Sequence, residues 1–277
     1  MIYKSSTHLR YLSSSCVTLN RSKSRQIATT IWKLANSGVK DKNRFSLLLA
    51  DVVDLKSFSS HDVANIVQGL NKAHYEEPRI WRLVTDRAFD FKKWSAIDQW
   101  TVLHGLSAAK SVDKDQRIAL FRSAADAIKT HEVSDKGLAS LCQSYVKTLH
   151  GFKHERRKWV LTFANEFFKR DTCSVIGTAL VAKAVASVDS ETPSDVDRDH
   201  SLWQSISDSI ACQDISAFEW LMLLDAYVTR GSFKCDHIDN ESGLKEFALK
   251  GQKIATELNS DGITRATLLF TRFCVMI

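Results

Sequence analysis

The sequence predicts an all-α protein, an α-solenoid of about six helix-turn-helix repeats of 36–42 residues. Two prolines and ten glycines are few for 277 residues, which disfavours a β-rich chain with many tight turns. Apolar residues recur at helical spacing, as at Val63, Ile66, Val67 and Leu70. The layout of residues 60–83 returns 36 residues later, where Gly105-Leu106 occupies the place of Gly69-Leu70.

Each repeat is predicted to hold a first and a second helix. The first helices are expected to begin near Ser24, Ser60, Ala96, Asp135, Ser174 and Ile215, and a Ser or Asp opens several of them as an N-cap. The second helices are expected at 42–56, 78–92, 115–129, 155–169, 198–212 and 242–258, and a final helix runs from Gly262 to Met276. One hairpin cannot bury its apolar stripe alone, so successive hairpins should stack as a solenoid. The alternative is a non-repeating helical bundle, because amphipathic helices resemble one another.

Residues 1–22 are predicted to be a mitochondrial transit peptide or a disordered basic arm. Residues 23–277 are predicted to form the helical-repeat solenoid. The segment before Ile27 has no Asp or Glu and is rich in Ser, Thr and basic residues. Residues 1–44 hold nine Lys or Arg and one acid, whereas the remaining 233 residues hold 29 basic and 31 acidic groups. The body is therefore nearly neutral. No apolar run is long enough to span a membrane, and six scattered cysteines fit a reducing compartment such as the mitochondrial matrix.

The repeat resembles a known type of organellar helical hairpin. The matching residues are Phe58, Asp62-Val63-Ala64-Asn65, Gly69-Leu70 and Pro78-Arg79-Ile80-Trp81. This pattern is similar to octotricopeptide and heptatricopeptide repeats and to the helical region of FAST-kinase-like mitochondrial proteins. The resemblance covers about a third of the chain, and no RAP domain is recognisable. It implies a role with organellar RNA, in transcript processing or stability or in the mitochondrial ribosome.

The residues do not predict an enzyme. There is no phosphate-binding glycine loop, no HExxH, no GxSxG and no plausible pair of catalytic carboxylates. His150 and His154 have a spacing that can hold a metal, but the surrounding segment is strongly positive, so no metal is expected. No cofactor or small-molecule substrate is expected either. Five tryptophans at apolar helical positions are expected in the core: Trp81, Trp100, Trp159, Trp203 and Trp220.

A basic cluster between residues 147 and 170 is the candidate RNA contact. Seven Lys and Arg stand there against Glu155 and Glu166. Basic residues at a helix entrance oppose the helix dipole, so an anion such as an RNA phosphate would favour this placement. The alternative is a solvated charged turn. The predicted phosphate contacts are Lys147, Lys153, Arg156, Arg157 and Lys158, with Arg21, Lys23 and Arg25 near the N-terminus.

The C-terminal helix is the candidate protein interface. It is apolar around most of its circumference, which exceeds what one neighbouring hairpin can cover. Leu269, Phe270, Phe273 and Met276 are the predicted interface residues. The alternative is that a further hairpin or domain continues the chain.

Two functional hypotheses follow. The first is a non-catalytic subunit of a mitochondrial ribonucleoprotein, either a mitochondrial ribosome component or an organellar RNA-binding factor. Its partners would be RNA and neighbouring protein subunits, with no membrane contact. The second is a purely protein-binding scaffold in another mitochondrial complex.

Overall fold

The chain folds into α-helices joined by short turns. The structure is a computed structural model that describes residues 6–170, 173–191, 200–230 and 242–275. Within these ranges it contains thirteen α-helices and no β-strand, so the all-α prediction is confirmed. The helices are α1 (Ser6–Asn36), α2 (Lys42–Leu49), α3 (Ser60–Lys72), α4 (Pro78–Ala88), α5 (Ala96–Ala108), α6 (Lys114–Ala125), α7 (Asp135–Thr148), α8 (Lys153–Phe168), α9 (Val175–Asp189), α10 (His200–Ala211), α11 (Ala217–Arg230), α12 (Ser242–Ile254) and α13 (Ser260–Val275).

The helices divide between two compact units, Met1–Lys129 with α1–α6 and Thr130–Ile277 with α7–α13. We call the odd-numbered helices A-helices and the even-numbered ones B-helices. In the first unit α3 packs between α1 and α5, and α4 packs on α6. In the second unit α7, α9, α11 and α13 contact one another in sequence order, as do α8, α10 and α12. Each unit therefore stacks consecutive hairpins, while a single solenoid over all six hairpins stays a prediction.

The A-helices begin at a recurring serine N-cap. The side chains of Ser59, Ser95, Ser134 and Ser174 each accept a hydrogen bond, at 3.2 Å, from the backbone N–H three residues later. Ser216 has the same relation to the N–H of Glu219, at 3.4 Å. Such caps satisfy N–H groups that have no partner inside the helix, which fixes where α3, α5, α7, α9 and α11 start.

Consecutive A-helices approach closely at the recurring Gly-Leu positions. A Cβ on Gly69 would lie 2.7 Å from Ile31 Cγ2 and 3.0 Å from the Ile31 carbonyl oxygen on α1. A Cβ on Gly105 would collide with the Val67 side chain on α3. The neighbouring Leu70 and Leu106 are fully buried. The repeated dipeptide therefore combines a contact between A-helix backbones with a large core side chain.

Four B-helices, α2, α4, α6 and α12, end at least four residues earlier than the sequence pattern predicts. The pattern extends to residue 56, but α2 ends at Leu49, where Arg79 of α4 donates to the carbonyls of Leu49 (2.9 Å) and Val52 (2.5 Å). Likewise α4 ends at Ala88 instead of residue 92, and Phe91–Lys93 forms a 3₁₀ turn. At α2, a cation from the next hairpin satisfies the C-terminal carbonyls in place of another helical turn.

The close approach at Gly69 can be tested by adding one methyl group. Gly69→Ala should destabilise the protein by about 1–3 kcal/mol, because α1 must move to admit the Cβ, even though alanine favours helix formation by about 1 kcal/mol. Urea unfolding of the full chain measures the change. Gly151→Ala is the matched control, since nothing lies within 4 Å of its Cβ position, and should change stability by less than about 0.5 kcal/mol. Equal stability of Gly69→Ala and the parent protein would contradict the proposed contact.

Candidate nucleic-acid interface

Three of the predicted phosphate contacts lie exposed around the turn between α7 and α8. Lys147 is in the last turn of α7, and Lys153 and Lys158 are on α8. Within the described ranges none of these ammonium groups has a carboxylate partner, although Lys158 Nζ lies 4.7 Å from the centroid of the Trp159 ring. We call Lys147, Lys153 and Lys158 the turn cluster. Its positive charge is available to an anion in solution.

The expectation that Arg156 is an exposed contact is wrong. Its side chain is 1% exposed and forms an ion pair with Glu191. Arg156 shares one helical face of α8 with the fully buried Val160, Phe163 and Phe167, so its position in the helix turns it towards the core. A count of charges along the chain does not distinguish this position from its exposed neighbours.

The Arg157 side chain also contacts a carboxylate within the second unit. Its guanidinium lies 3.8 Å from Oδ1 of Asp189, a carboxylate that is fully buried at the end of α9. The other Asp189 oxygen accepts a hydrogen bond from Trp203 Nε1 at 2.8 Å. Arg157 therefore helps to neutralise a buried acid, and its side chain is 28% exposed.

Further cations of the second unit hold main-chain carbonyls. Arg170 donates to Asp135 at 2.6 Å and to the carbonyls of Thr130 and Val133. Lys250 donates to the carbonyls of Ile210 (2.8 Å) and Ala211 (2.9 Å) at the end of α10. Lys250 complements the C-terminus of α10, whose carbonyls lack partners within the helix, whereas Arg170 connects the turn before α7 to the first residue of that helix. The basic surface of this unit is smaller than the sequence indicates.

The N-terminal basic residues lie on α1. Arg21, Lys23 and Arg25 are all exposed. Lys23 Nζ lies 3.2 Å from Asp51, but both side chains are mostly exposed, so this pair contributes little to stability. Arg25 lines a cavity on the exposed side of the A-helices of the first unit. The structure thus connects one predicted residue with a surface that the sequence analysis did not find.

That surface is the A-face, the exposed side of α1, α3 and α5. It contains two cavities that share Gln68 and Thr101, of about 380 Å³ and about 620 Å³. We call them the N-terminal cavity and the C-terminal cavity, after the ends of α3 and α5 that they adjoin. Side chains from equivalent repeat positions line up across the helices, as in the row Trp32, Gln68 and His104, spaced by 36 residues.

The A-face presents planar and amide side chains to solvent. Trp32 is 39% exposed, and its Nε1 donates to Gln68 Oε1 at 3.1 Å, which fixes both side chains. Lys72 Nζ donates to Asn36 Oδ1 at 2.9 Å, again across a 36-residue interval. Asn65 is half-exposed and lines the N-terminal cavity, one helical turn before Gln68. Indole rings and amides are groups that stack on nucleobases and bond to their edges.

The carboxylates beside this face are already engaged. Asp62 is buried and accepts from Ser59 Oγ at 2.6 Å, and buried Asp98 accepts from Ser60 Oγ at 2.8 Å. Asp98 also lies 3.4 Å from Nδ1 of His61, whose side chain is 72% exposed. The acids hold the starts of α3 and α5 in place, so the solvent side of the A-face is left mainly with hydrogen-bond donors and aromatic rings.

Glu76 joins two interhelical turns at the edge of the C-terminal cavity. Its carboxylate accepts from the backbone N–H groups of Lys110 (3.1 Å) and Ser111 (3.0 Å) and from Ser111 Oγ (2.8 Å). Burial opposes ionisation of Glu76, but these hydrogen bonds outweigh that effect and lower its pKa. Glu76 is therefore an anion at neutral pH, with its oxygens directed to the turn.

The sequence analysis missed the A-face because exposed polar residues are ordinary on any helix. The repeat register does contain a usable signal, because a small buried residue lies ten positions after each N-cap serine. In the first unit, the residue immediately before this small residue is on the A-face. These small residues are Gly69, Gly105, Ser144, Ala184 and Ala226. Aligning the repeats on this position would place Gln68 and His104 side by side.

The tryptophans expected in the core divide into two groups. Trp81, Trp203 and Trp220 are buried, as predicted. Trp100 and Trp159 are only half-buried. Trp100 lines the C-terminal cavity, so it is the one whose expected role changes most.

The predicted C-terminal interface is only partly within the described chain. Leu269 is 6% exposed, so it packs inside the second unit and is not on its surface. The side chains of Phe270 and Phe273, and all of Met276, lie outside the part of the chain that the structure describes. Ile263 and Leu268 on α13 are more than half exposed.

Other kinds of site receive no support from the described residues. Among them, no three or more His, Cys, Asp or Glu side chains are grouped so that they could hold a metal ion. None of the helices in the same ranges has the length and apolar character required to cross a membrane.

Comparison with known proteins finds no matching family model, no matching curated protein and no matching solved structure. The resemblance to organellar helical repeats therefore stays a prediction.

The burial of Arg156 predicts a structural role that its neighbours lack. Arg156→Ala should destabilise the protein by about 3 kcal/mol, because it removes a buried guanidinium and leaves Glu191 without its partner. Lys153→Ala, an exposed charge on the same helix, should change stability by less than about 0.5 kcal/mol. Thermal and urea unfolding of both variants provide the measurement. A small effect for Arg156→Ala would restore it as a candidate surface contact.

Proposed function

We propose that this protein is a non-catalytic RNA-binding subunit of a mitochondrial ribonucleoprotein, with the mitochondrial ribosome as the foremost candidate. It binds single-stranded RNA on the A-face of its first unit and contacts RNA phosphates through the turn cluster of its second unit. Neighbouring protein subunits are its other partners.

The alignment of exposed side chains along the A-face carries this proposal. Trp32, Gln68 and His104 repeat at intervals of 36 residues on adjacent helices, flanked by Asn65 and Lys72. An extended strand crossing α1, α3 and α5 would meet an equivalent group at each helix. Single-stranded RNA offers such a series of bases, with faces for stacking and edges for amide hydrogen bonds.

Phosphate contacts supply the affinity that is independent of base sequence. Lys147, Lys153 and Lys158 are exposed and have no carboxylate partner within the described ranges. Arg21 and Arg25 add positive charge on α1. Lysine and arginine at such positions release counterions from RNA when they bind, so affinity falls as salt rises. Arg156 is excluded from this role by its burial.

The mitochondrial part of the proposal rests on the N-terminal sequence and on the repeat resemblance. Residues 1–22 have the basic, hydroxyl-rich and acid-free composition of a transit peptide. A subunit of a large particle is favoured over a diffusing factor because the second unit exposes apolar side chains on three A-helices: Ile176 on α9, Phe218 on α11, and Ile263 and Leu268 on α13.

A protein-binding scaffold is the second candidate, and the internal pairing of cations favours it. Arg156, Arg157, Arg170 and Lys250 are committed to acids or carbonyls of the same unit. Lys183 and Arg265 both approach Asp225, at 2.9 Å and 3.7 Å, so the A-helices of this unit carry a compensated charge group. Exposed apolar residues beside compensated charges are typical of protein interfaces.

The turn cluster can be tested through the salt dependence of RNA binding. Lys147→Gln, Lys153→Gln and Lys158→Gln together should reduce the slope of log affinity against log salt by about 2, because each lost contact to single-stranded RNA removes about 0.7. Fluorescence anisotropy of labelled single-stranded RNA in a salt series measures the slope.

The matched control replaces three other exposed lysines, Lys56, Lys92 and Lys114, by glutamine. It makes the same change of net charge away from the A-face and the turn cluster, and its salt slope should stay that of the parent protein. Equal slopes for the two triple variants would contradict the proposal that the turn cluster contacts RNA phosphates. Absence of RNA binding by the parent protein at low salt would favour the scaffold.

A further inference from the structure

The C-terminal cavity of the A-face has a chemistry distinct from the rest of that face. It lies between the last turns of α3 and α5 and has a volume of about 620 Å³, within the range of pockets that hold a nucleotide-sized ligand. Its lining includes Asn71, Lys72, His74, Trp100 and Lys110. The carboxylate on its edge, Glu76, already accepts hydrogen bonds from Lys110 and Ser111. Two lysines therefore stand in the lining against one carboxylate that is already engaged, which favours an anionic ligand.

Two polar groups in this lining lack a partner within the described part of the chain. The Nε1–H of Trp100 is buried and makes no hydrogen bond there. A buried donor without an acceptor is unfavourable, so the indole of Trp100 lies in the cavity wall with an unsatisfied polar group. The amide of Asn71 also has no hydrogen bond to the described residues. It lies where a side chain on Gly105 would be, 2.8 Å from that Cβ position, so the glycine makes room for it.

His74 has a backbone conformation that residues other than glycine disfavour. It follows the end of α3 with φ = 52°, in the left-handed region, and it is the non-glycine residue with positive φ in the described ranges. The residue 36 positions earlier, at the end of α1, is Gly38 with φ = 81°. Glycine is the usual residue at this point because it has no Cβ to strain the turn. His74 therefore ends α3 in the conformation that Gly38 has after α1, and its imidazole lines the C-terminal cavity.

We propose that the C-terminal cavity is a subsite for one adenine nucleotide of a bound RNA strand. The base lies at Asn71 and Trp100, and its phosphate lies at Lys72 and Lys110, with His74 beside it. This inference rests on the proposed function, because the nucleotide belongs to the RNA that the A-face binds.

The amide of Asn71 favours adenine over guanine when the base is read at the edge that carries N7. A carboxamide presents one acceptor and one donor side by side, which complements N6–H and N7 of adenine. Guanine presents two acceptors, O6 and N7, on the same edge and does not match. The phosphate position follows from charge: Lys72 and Lys110 are exposed ammonium groups, and the negative charge of Glu76 is turned to the backbone N–H groups of the adjacent turn.

The test uses the full chain and short oligouridines that contain one central adenosine, one central guanosine or neither. The parent protein should bind the adenosine oligomer about tenfold more tightly than the other two, the effect of one matched bidentate pair. Asn71→Ala should abolish this difference and leave the affinity for oligouridine unchanged. Asn165→Ala is the matched control, because Asn165 is an exposed amide on α8, and it should keep the preference for adenosine.

A second variant addresses the strained turn. His74→Gly should raise the melting temperature, because glycine adopts a positive φ without strain, and should weaken binding of the adenosine oligomer. A lower melting temperature, or adenosine binding as tight as that of the parent protein, would overturn the role assigned to His74.

The outcomes separate this inference from the proposed function. If the parent protein binds all three oligomers equally, or if Asn71→Ala keeps the adenosine preference, the adenine subsite is wrong while RNA binding stands. If adenosine monophosphate binds the cavity without displacing RNA, the site serves a free nucleotide and its assignment to the strand is overturned. If no oligomer binds, the proposed function fails as well.

Discussion

The close approach of consecutive A-helices is the constraint on which the rest of the structure depends. It is made at small residues ten positions after each N-cap serine, of which Gly69 and Gly105 lie against α1 and α3. Because a Cβ at either glycine would collide with the preceding helix, the spacing of the helices is set at these points. In α3, α5, α7, α9 and α11 the serine cap fixes where the helix begins, so the small residue and its neighbours lie at the same distance from the start of each of these helices. A regular exposed face is the geometric consequence.

That regularity brings equivalent side chains of successive A-helices next to one another. Between the buried positions of α1, α3 and α5, equivalent side chains such as Trp32 and Gln68 fall close enough to bond to each other. Asp62 and Asp98, near the helix starts, accept hydrogen bonds from serine hydroxyls. What remains towards solvent is a series of donors, amides and rings, which suits a polymer of repeating acceptor-rich units.

The sequence predicts the helices well because their information is local. Apolar spacing and serine caps define each helix from the residues around it, and the Gly-Leu recurrence reflects a real contact between neighbouring repeats. The early end of α2 could not be foreseen, since it depends on Arg79, a residue 30 positions away along the chain. Arg156 was misassigned because a charge count ignores helical phase, although its spacing from Val160, Phe163 and Phe167 shows that it faces the core. The A-face requires three helices side by side, and no single segment contains that information.

Mapping of RNA contacts by ultraviolet crosslinking tests the central claim most directly. The full chain would be bound to single-stranded RNA, irradiated and digested, and the crosslinked peptides identified by mass spectrometry. The account predicts crosslinks in peptides that carry A-face residues, above all Trp32, His61 and His104, and in the peptide of the turn cluster. Crosslinks confined to the B-helices α4 and α6, with none on α1, α3 or α5, would contradict it.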